Sequence, residues 1–337
     1  MSSSAHIATR VNEAAAEAVT RSPGTCDDPA CARYAGTSQC PPFPTLRSAG
    51  AVFGEAVADA WHRAGGSRLD VPAGIVAALA LWPIKSPGAE HAPALAAYVA
   101  TQPPRVLVKG FAECAASQWN LRPGLMDVAR PLFAWTEEDL NSTVLDGVRA
   151  VTRAALRHGV LHHTGDTDAA ERSRIDLMSW VITSLRHHHS RRSMGECHMP
   201  PGISDLMATM MDPADTDVAV AQGEWFIEPT AGTGGLFRST AQNLPAGGRN
   251  PADFGWIMLE LDPLSAAGAA VNAIVWGLGP RAVVGCGDVL ARADLGQEAL
   301  AHHRDLVRHR DFLSSLTAFA RATHASVQLL RAVTAGG

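Results

Sequence analysis

The chain has 337 residues, of which 47% are hydrophobic and 18% charged, and its formal net charge is -5. That is enough apolar material for one large or two modest cores, and too acidic a balance for a protein that coats nucleic acid through bulk electrostatics. The only lysines, Lys85 and Lys109, follow no glycine run of the GxxxxGK[ST] kind, which excludes a phosphate loop of that type and the nucleoside triphosphate hydrolysis it serves.

Residues 1–45 mix Ser, Thr, Gly and Pro with scattered charges and end in Cys40-Pro41-Pro42-Phe43-Pro44, a composition that reads as a disordered tail. Cys26, Cys31 and Cys40 fall within it. A zinc site would need a fourth ligand and tighter pairing, so no metal is expected there, and the six scattered cysteines are expected as reduced thiols. The longest apolar stretches, such as Ile75 to Pro83, are far shorter than the ~20 residues of a membrane span. No apolar core precedes a cleavage site at the N-terminus, so a cytoplasmic protein without membrane contact is expected.

From Ala49 to His189 apolar residues recur at spacings of three and four: Val52, Ala56, Ala60; Ile75, Ala78, Leu79; Leu140, Val144, Val148, Val151, Leu156. This predicts an all-α region over 46–190. Its last helix is expected from Asp168 to His188, with Ile175, Leu177, Met178, Val181, Ile182 and Leu185 as one apolar stripe. The basic cluster that follows, Arg186 to His189 with Arg191 and Arg192, reads either as cations favouring a helix C-terminus or as a phosphate-contacting patch.

After Pro200 short apolar runs alternate with helical segments, the rhythm of a parallel, doubly wound α/β sheet over 191–337. Strands are expected at Trp225 to Glu228, Trp256 to Asp262 and Ala282 to Gly285. Helices are expected at Phe237 to Asn243, Ser265 to Trp276 and Gly296 to about Val333, the last with Leu306, Val307, Phe312, Leu316, Phe319 and Leu329 as core. The adjacent pairs His162, His163 and His302, His303 lie one residue apart on helices, where side chains do not converge on a metal, and read as structural.

The sharpest local pattern is Phe226-Ile227-Glu228-Pro229-Thr230-Ala231-Gly232-Thr233-Gly234-Gly235, a strand running through a glycine turn into a helix. Glycines let a backbone approach a ligand, and a helix N-terminus offers free N–H groups to an anionic group. The third glycine of a dinucleotide fingerprint is replaced by Phe237, which disfavours nicotinamide. Glu260, with Asp262, stands at the carboxyl end of the second strand, where a carboxylate can accept both hydroxyls of a ribose. Asp288 follows the third strand at the same rim, suitably placed to accept from an adenine amino group. Any one of these acids alone reads as a cap or a solvated loop end.

The order Gly195-Glu196-Cys197-His198-Met199-Pro200-Pro201, then Glu228 to Gly235, then Glu260-Leu261-Asp262-Pro263, then Gly287-Asp288 resembles the N6-adenine-specific DNA methyltransferases, including the methylase subunits of type I restriction-modification systems. The resemblance implies a Rossmann-like S-adenosylmethionine-dependent methyltransferase domain preceded by the all-α region. It also implies DNA as substrate and a specificity or modification subunit as partner. By resemblance, Met199, Pro200, Glu228, Pro229, Ala231, Gly232, Thr233 and Gly234 surround the methionine end of S-adenosylmethionine, Glu260 and Asp262 the ribose, and Asp288 the adenine.

Two features depart from that family. Met199 stands where a threonine is usual. The catalytic tetrapeptide, Asn, Asp or Ser followed by Pro-Pro and an aromatic, does not follow Asp288. Cys40-Pro41-Pro42-Phe43 has its outline, but cysteine lacks the amide oxygen that accepts the target amino group's hydrogens, and no apolar strand precedes it. An alternative reading is therefore a SAM-binding partner or remnant of a modification system that transfers no methyl group; a third is a small-molecule methyltransferase capped by the N-terminal helices.

Overall fold

A computed structural model describes residues 46–186, 204, 207, 208 and 224–335. The anticipated tail, Met199, Pro200 and the basic residues beyond Arg186 lie outside them. The described chain is mostly helical and carries one small, wholly parallel three-stranded sheet.

The helical half opens with α1 (Leu46–Arg63), α2 (Asp70–Ala80), α3 (Ala92–Ala100), α4 (Pro104–Leu121) and α5 (Pro123–Val128). It continues through α6 (Ser142–Arg157), α7 (Val160–Thr164), α8 (Ala169–Arg172) and α9 (Leu177–Leu185). α2 is buried on every side from Val71 to Ala80, as expected of a helix with no polar stripe. It approaches the 3₁₀ turn Arg130–Leu132 so closely that a Cβ on Gly74 would lie 1.9 Å from the Leu132 carbonyl oxygen. α6 starts on Asn141, whose side chain accepts from Val144 N, and buries Val148, Val151 and Leu156.

The single helix expected from Asp168 to His188 is instead two, α8 and α9. Asp168 caps the first by accepting from Ala170 N; Asp176 caps the second by accepting from Ser179 N. Short acidic side chains that bond a nearby backbone N–H compete with helix continuation, so the chain breaks between them. The apolar stripe survives the break, and Ile175, Leu177, Met178, Val181, Ile182 and Leu185 are all buried.

In the second half, β1 (Trp225–Glu228), α10 (Gly235–Asn243), β2 (Gly255–Glu260), α11 (Pro263–Val275), β3 (Ala282–Cys286) and α12 (Leu295–Ala335) follow one another. The sheet order is β1-β2-β3, with β2 central and paired Trp225 to Gly255 and Trp256 to Ala282. Alternation along β2 sorts its side chains to two faces. Trp256 and Met258 join the large core, with Phe226 stacked on Trp256 at 4.7 Å and Phe237 of α10 edge-on at 5.1 Å. Ile257 and Leu259 face the opposite way, onto Leu295 and Leu300 of α12. Helices thus cover both faces, the arrangement of α/β folds.

The large core is continuous: Phe53, Trp61, Ile75, Leu79 and Trp135 of the helical half belong to one cluster with Trp256, Met258, Val271 and Trp276. Each such buried aromatic removes about 150–250 Å² from water, a gross gain of about 4–6 kcal/mol before entropy is counted.

The core expected along α12 is only partly present. Its N-terminal end packs through Leu295, and His302 and His303 seat it on α5. There His302 pairs with Asp127 at 2.9 Å, and the His303 ring lies where a Cβ on Gly124 would stand. Leu306 and Val307 are half-buried, but Phe312, Leu316 and Phe319 are exposed at 60%, 49% and 73%. The helix runs on past the short sheet, and these three side chains stay largely in solvent. No described helix is long and apolar enough to cross a membrane.

Candidate functional site

The site is built where β1 ends and α10 begins. Glu228 closes β1 and accepts from the Thr230 N–H and hydroxyl at 3.1 and 3.0 Å, fixing the entry to the turn. Ala231 N then donates to Leu259 O at 2.9 Å, and Gly232 N donates to Glu260 Oε2 at 2.7 Å, stitching the turn to the end of β2. Gly234 adopts φ +93°, and an added Cβ there would meet Met258 Sδ at 3.1 Å and Trp276 at 3.2 Å. Gly234→Ala is therefore expected to cost about 1–2 kcal/mol in a urea unfolding titration, from left-handed backbone strain alone. Gly232 also has positive φ, +55°, but open space lies above it.

Glu260 is half-buried and shared. One carboxylate oxygen takes Gly232 N, the other Asp262 N at 2.9 Å. A carboxylate has about four acceptor positions, so these two bonds orient it and leave capacity for further donors. Asp262 caps α11 by accepting from Ser265 N at 2.7 Å and forms an ion pair with Arg186, whose side chain is only 3% exposed. Burial pushes the Asp262 carboxyl up, but hydrogen bonds from Arg186 and Ser265 outweigh it and hold the group below the usual carboxylate range. Asp288 lies beyond β3, where its carboxylate accepts from Leu290 N at 2.9 Å and caps its own turn. Cys286 closes β3, and burial with the neighbouring Asp262 and Glu260 charges raises its thiol, which keeps it protonated and a poor nucleophile.

The residues expected from sequence around the turn and rim, Glu228, Pro229, Ala231, Gly232, Thr233, Gly234, Glu260, Asp262 and Asp288, cluster at the carboxyl ends of three adjacent parallel strands. Thr233 differs from the rest. Its side chain is buried, 3% exposed, and donates to Asp176 Oδ2 at 2.8 Å instead of facing the rim.

Two contributors escaped sequence reasoning. Asp176 is half-buried and receives Ser179 N, the Thr233 hydroxyl and the Asn272 amide, whose nitrogen also donates to Thr233 O. It clamps the glycine turn and α11 to the helical half. The other is Arg186, which neutralises Asp262. The available signals were an Asp before an apolar stripe and a cation after it, and neither names a partner.

The arrangement offers oriented carboxylate acceptors at three strand ends. It also offers the first three N–H groups of α10, Gly235 to Phe237, which have no backbone acceptor among the described residues. Among those residues no three His, Cys, Asp or Glu form a metal-binding group. Comparison with protein families, with curated proteins and with solved structures finds no match for this chain.

Proposed function

We propose that the chain binds S-adenosylmethionine at this rim and is a protein of the adenine-specific DNA methyltransferase type, acting in the cytoplasm. The observation that carries the reading is Glu260, an oriented carboxylate with spare acceptor capacity, at the end of the central strand and bonded directly to the glycine turn.

The residues fit the cofactor. Ribose hydroxyls are donors, and Glu260 supplies the acceptor that a diol requires. Gly232 keeps open space above the turn, where a side chain would stand in any other residue. The N–H groups of Gly235 to Phe237, without a backbone acceptor among the described residues, suit the carboxylate of the methionine moiety. Asp288 keeps an acceptor for an adenine amino group, and Arg186 limits the negative charge beside a cationic ligand by pairing with Asp262. When bound, S-adenosylmethionine supplies an electrophilic methyl group; the residues named here hold and orient it.

On this reading the methyl acceptor is adenine in DNA, and a specificity or modification subunit reads the sequence. A second reading, binding without transfer, is favoured by one observation: the described residues beyond β3 run through a short loop into α12, and no Asn/Asp/Ser-Pro-Pro-aromatic segment follows Asp288. Incubating the protein with methyl-labelled S-adenosylmethionine and mixed-sequence DNA separates the readings. Label in DNA means a methylase; label retained by the protein with none in DNA means a binding protein; label in neither removes the proposal.

A further inference from the structure

At the far end of α11 from Glu260 and Asp262, twelve residues along the helix and hence roughly 18 Å away, a cavity of about 200 Å³ opens between the helical half and Val275. Its polar lining is Lys85, Gln118, Thr167 and Arg172, and Ile274 belongs to its apolar wall.

Two cations share this space, and neither is paired with a carboxylate among the described residues. The Lys85 ammonium donates to two backbone carbonyls, Ala80 O at 3.1 Å and Thr164 O at 2.6 Å. An ammonium has three donors, so one is left. Arg172 is committed in the same manner: Nε donates to Val275 O at 2.6 Å, and Nη1 to Asp166 O and Thr167 O at 2.7 and 2.9 Å, while Nη2 makes no hydrogen bond among the described residues. The Asp166 and Asp168 carboxylates influence Arg172 from a distance, and Asp166 Oδ1 and Asp168 Oδ1 accept backbone N–H groups of their own turn.

Neutral carbonyls orient these cations without cancelling their charge, and two like charges at one low-dielectric cavity repel. The consequence for Lys85 is that burial, reinforced by Arg172, lowers its ammonium to about 7, with the buried Cys114 a small opposing influence. A group in that position gains most from an anion that faces both cations at once.

We propose that this cavity is a binding site for a small oxyanion, held between the third donor of Lys85 and Nη2 of Arg172. The volume admits a ligand of the size of a short carboxylate or inorganic phosphate, since a water molecule's share of liquid volume is about 30 Å³. Both ligands present the same chemistry, two or more oxygens sharing negative charge, which matches a guanidinium edge and an ammonium. The site is separate from the strand-end rim and does not depend on what binds there.

The chain holds two lysines, so each can be followed separately by amine acylation and peptide mass spectrometry. Lys109, two-thirds exposed and beside Glu113, is the internal control. The full chain is acylated at pH 7 in sodium chloride, sodium acetate or sodium phosphate at matched ionic strength. Acetate, phosphate or both are expected to slow labelling of Lys85 by about tenfold at ten times the dissociation constant, leaving Lys109 unchanged. Protection by acetate alone identifies a carboxylate site, and by phosphate alone an inorganic oxyanion site. In Arg172→Gln the protection is expected to disappear while Lys85 still labels. Equal Lys85 labelling in all three salts overturns the proposal, as does a Lys85 that never labels while Lys109 does; both readouts use the unmutated chain and so survive a variant that fails to fold.

Discussion

Asp176→Ala is expected to destabilise the protein by about 3 kcal/mol, and Asp176→Asn by no more than about 1 kcal/mol. Alanine removes the cap of α9, worth about 1 kcal/mol. It also strands the buried Thr233 hydroxyl, at about 1–3 kcal/mol for a group left unpaired, and leaves the Asn272 amide with Thr233 O as its remaining acceptor. Asparagine keeps an oxygen for Ser179 N and Asn272 and offers an N–H to the Thr233 hydroxyl, so the clamp between helical half and glycine turn persists.

The same residue sets a pH dependence. Burial pushes the Asp176 carboxyl above the ordinary carboxylate range, against the opposing bonds from Ser179, Thr233 and Asn272 and the Arg238 charge. The folded chain therefore holds this proton at pH values where the unfolded chain has lost it. Asp176 thus takes stability away as pH rises from the ordinary carboxylate value through its raised folded value. Urea titrations across that interval are expected to show the decline in the wild type and its absence in Asp176→Asn. Equal losses for Ala and Asn would show that the three hydrogen bonds contribute nothing to holding the turn.

Gly74→Ala is the other large effect, at about 3 kcal/mol. The new methyl would stand 1.9 Å from Leu132 O and 2.5 Å from Trp135 Nε1, the two atoms joined by the buried indole hydrogen bond of 2.8 Å. Neither has room to move: Leu132 and Trp135 are fully buried. Gly110→Ala is the matched control. It lies inside α4 with nothing within 4 Å of the new methyl, so it is expected to stabilise by about 0.5–1 kcal/mol through helix propensity alone. Opposite signs in parallel urea titrations support the packing account; a loss in both would point to backbone effects common to the two helices.

What the sequence made legible follows from the range of the interactions concerned. The three strands, α10 and α11 emerge from local rules: apolar runs of four to six residues, a glycine turn, and Asp262 followed by Pro263 at a helix start. The rim acids were found for the same reason, because a strand's end fixes where its next residue stands.

Long-range partners were not readable. Asp176 meets Thr233 and Asn272 across 57 and 96 residues, and Arg186 meets Asp262 across 76. Nothing in local spacing distinguishes such pairs from ordinary caps and charged helix ends. α12 shows the converse error. Its apolar positions repeat at helical spacing, but periodicity reports only that a face exists, not that anything lies opposite it.

Binding at the rim is tested by calorimetric titration of the purified chain with S-adenosylmethionine, alongside Glu260→Ala shown beforehand to unfold cooperatively. Saturable one-to-one binding is expected for the wild type, weakened about tenfold or more in the variant, since unpaired ribose hydroxyls cost about 1–3 kcal/mol. No binding by the wild type, or equal binding by both proteins, would contradict it.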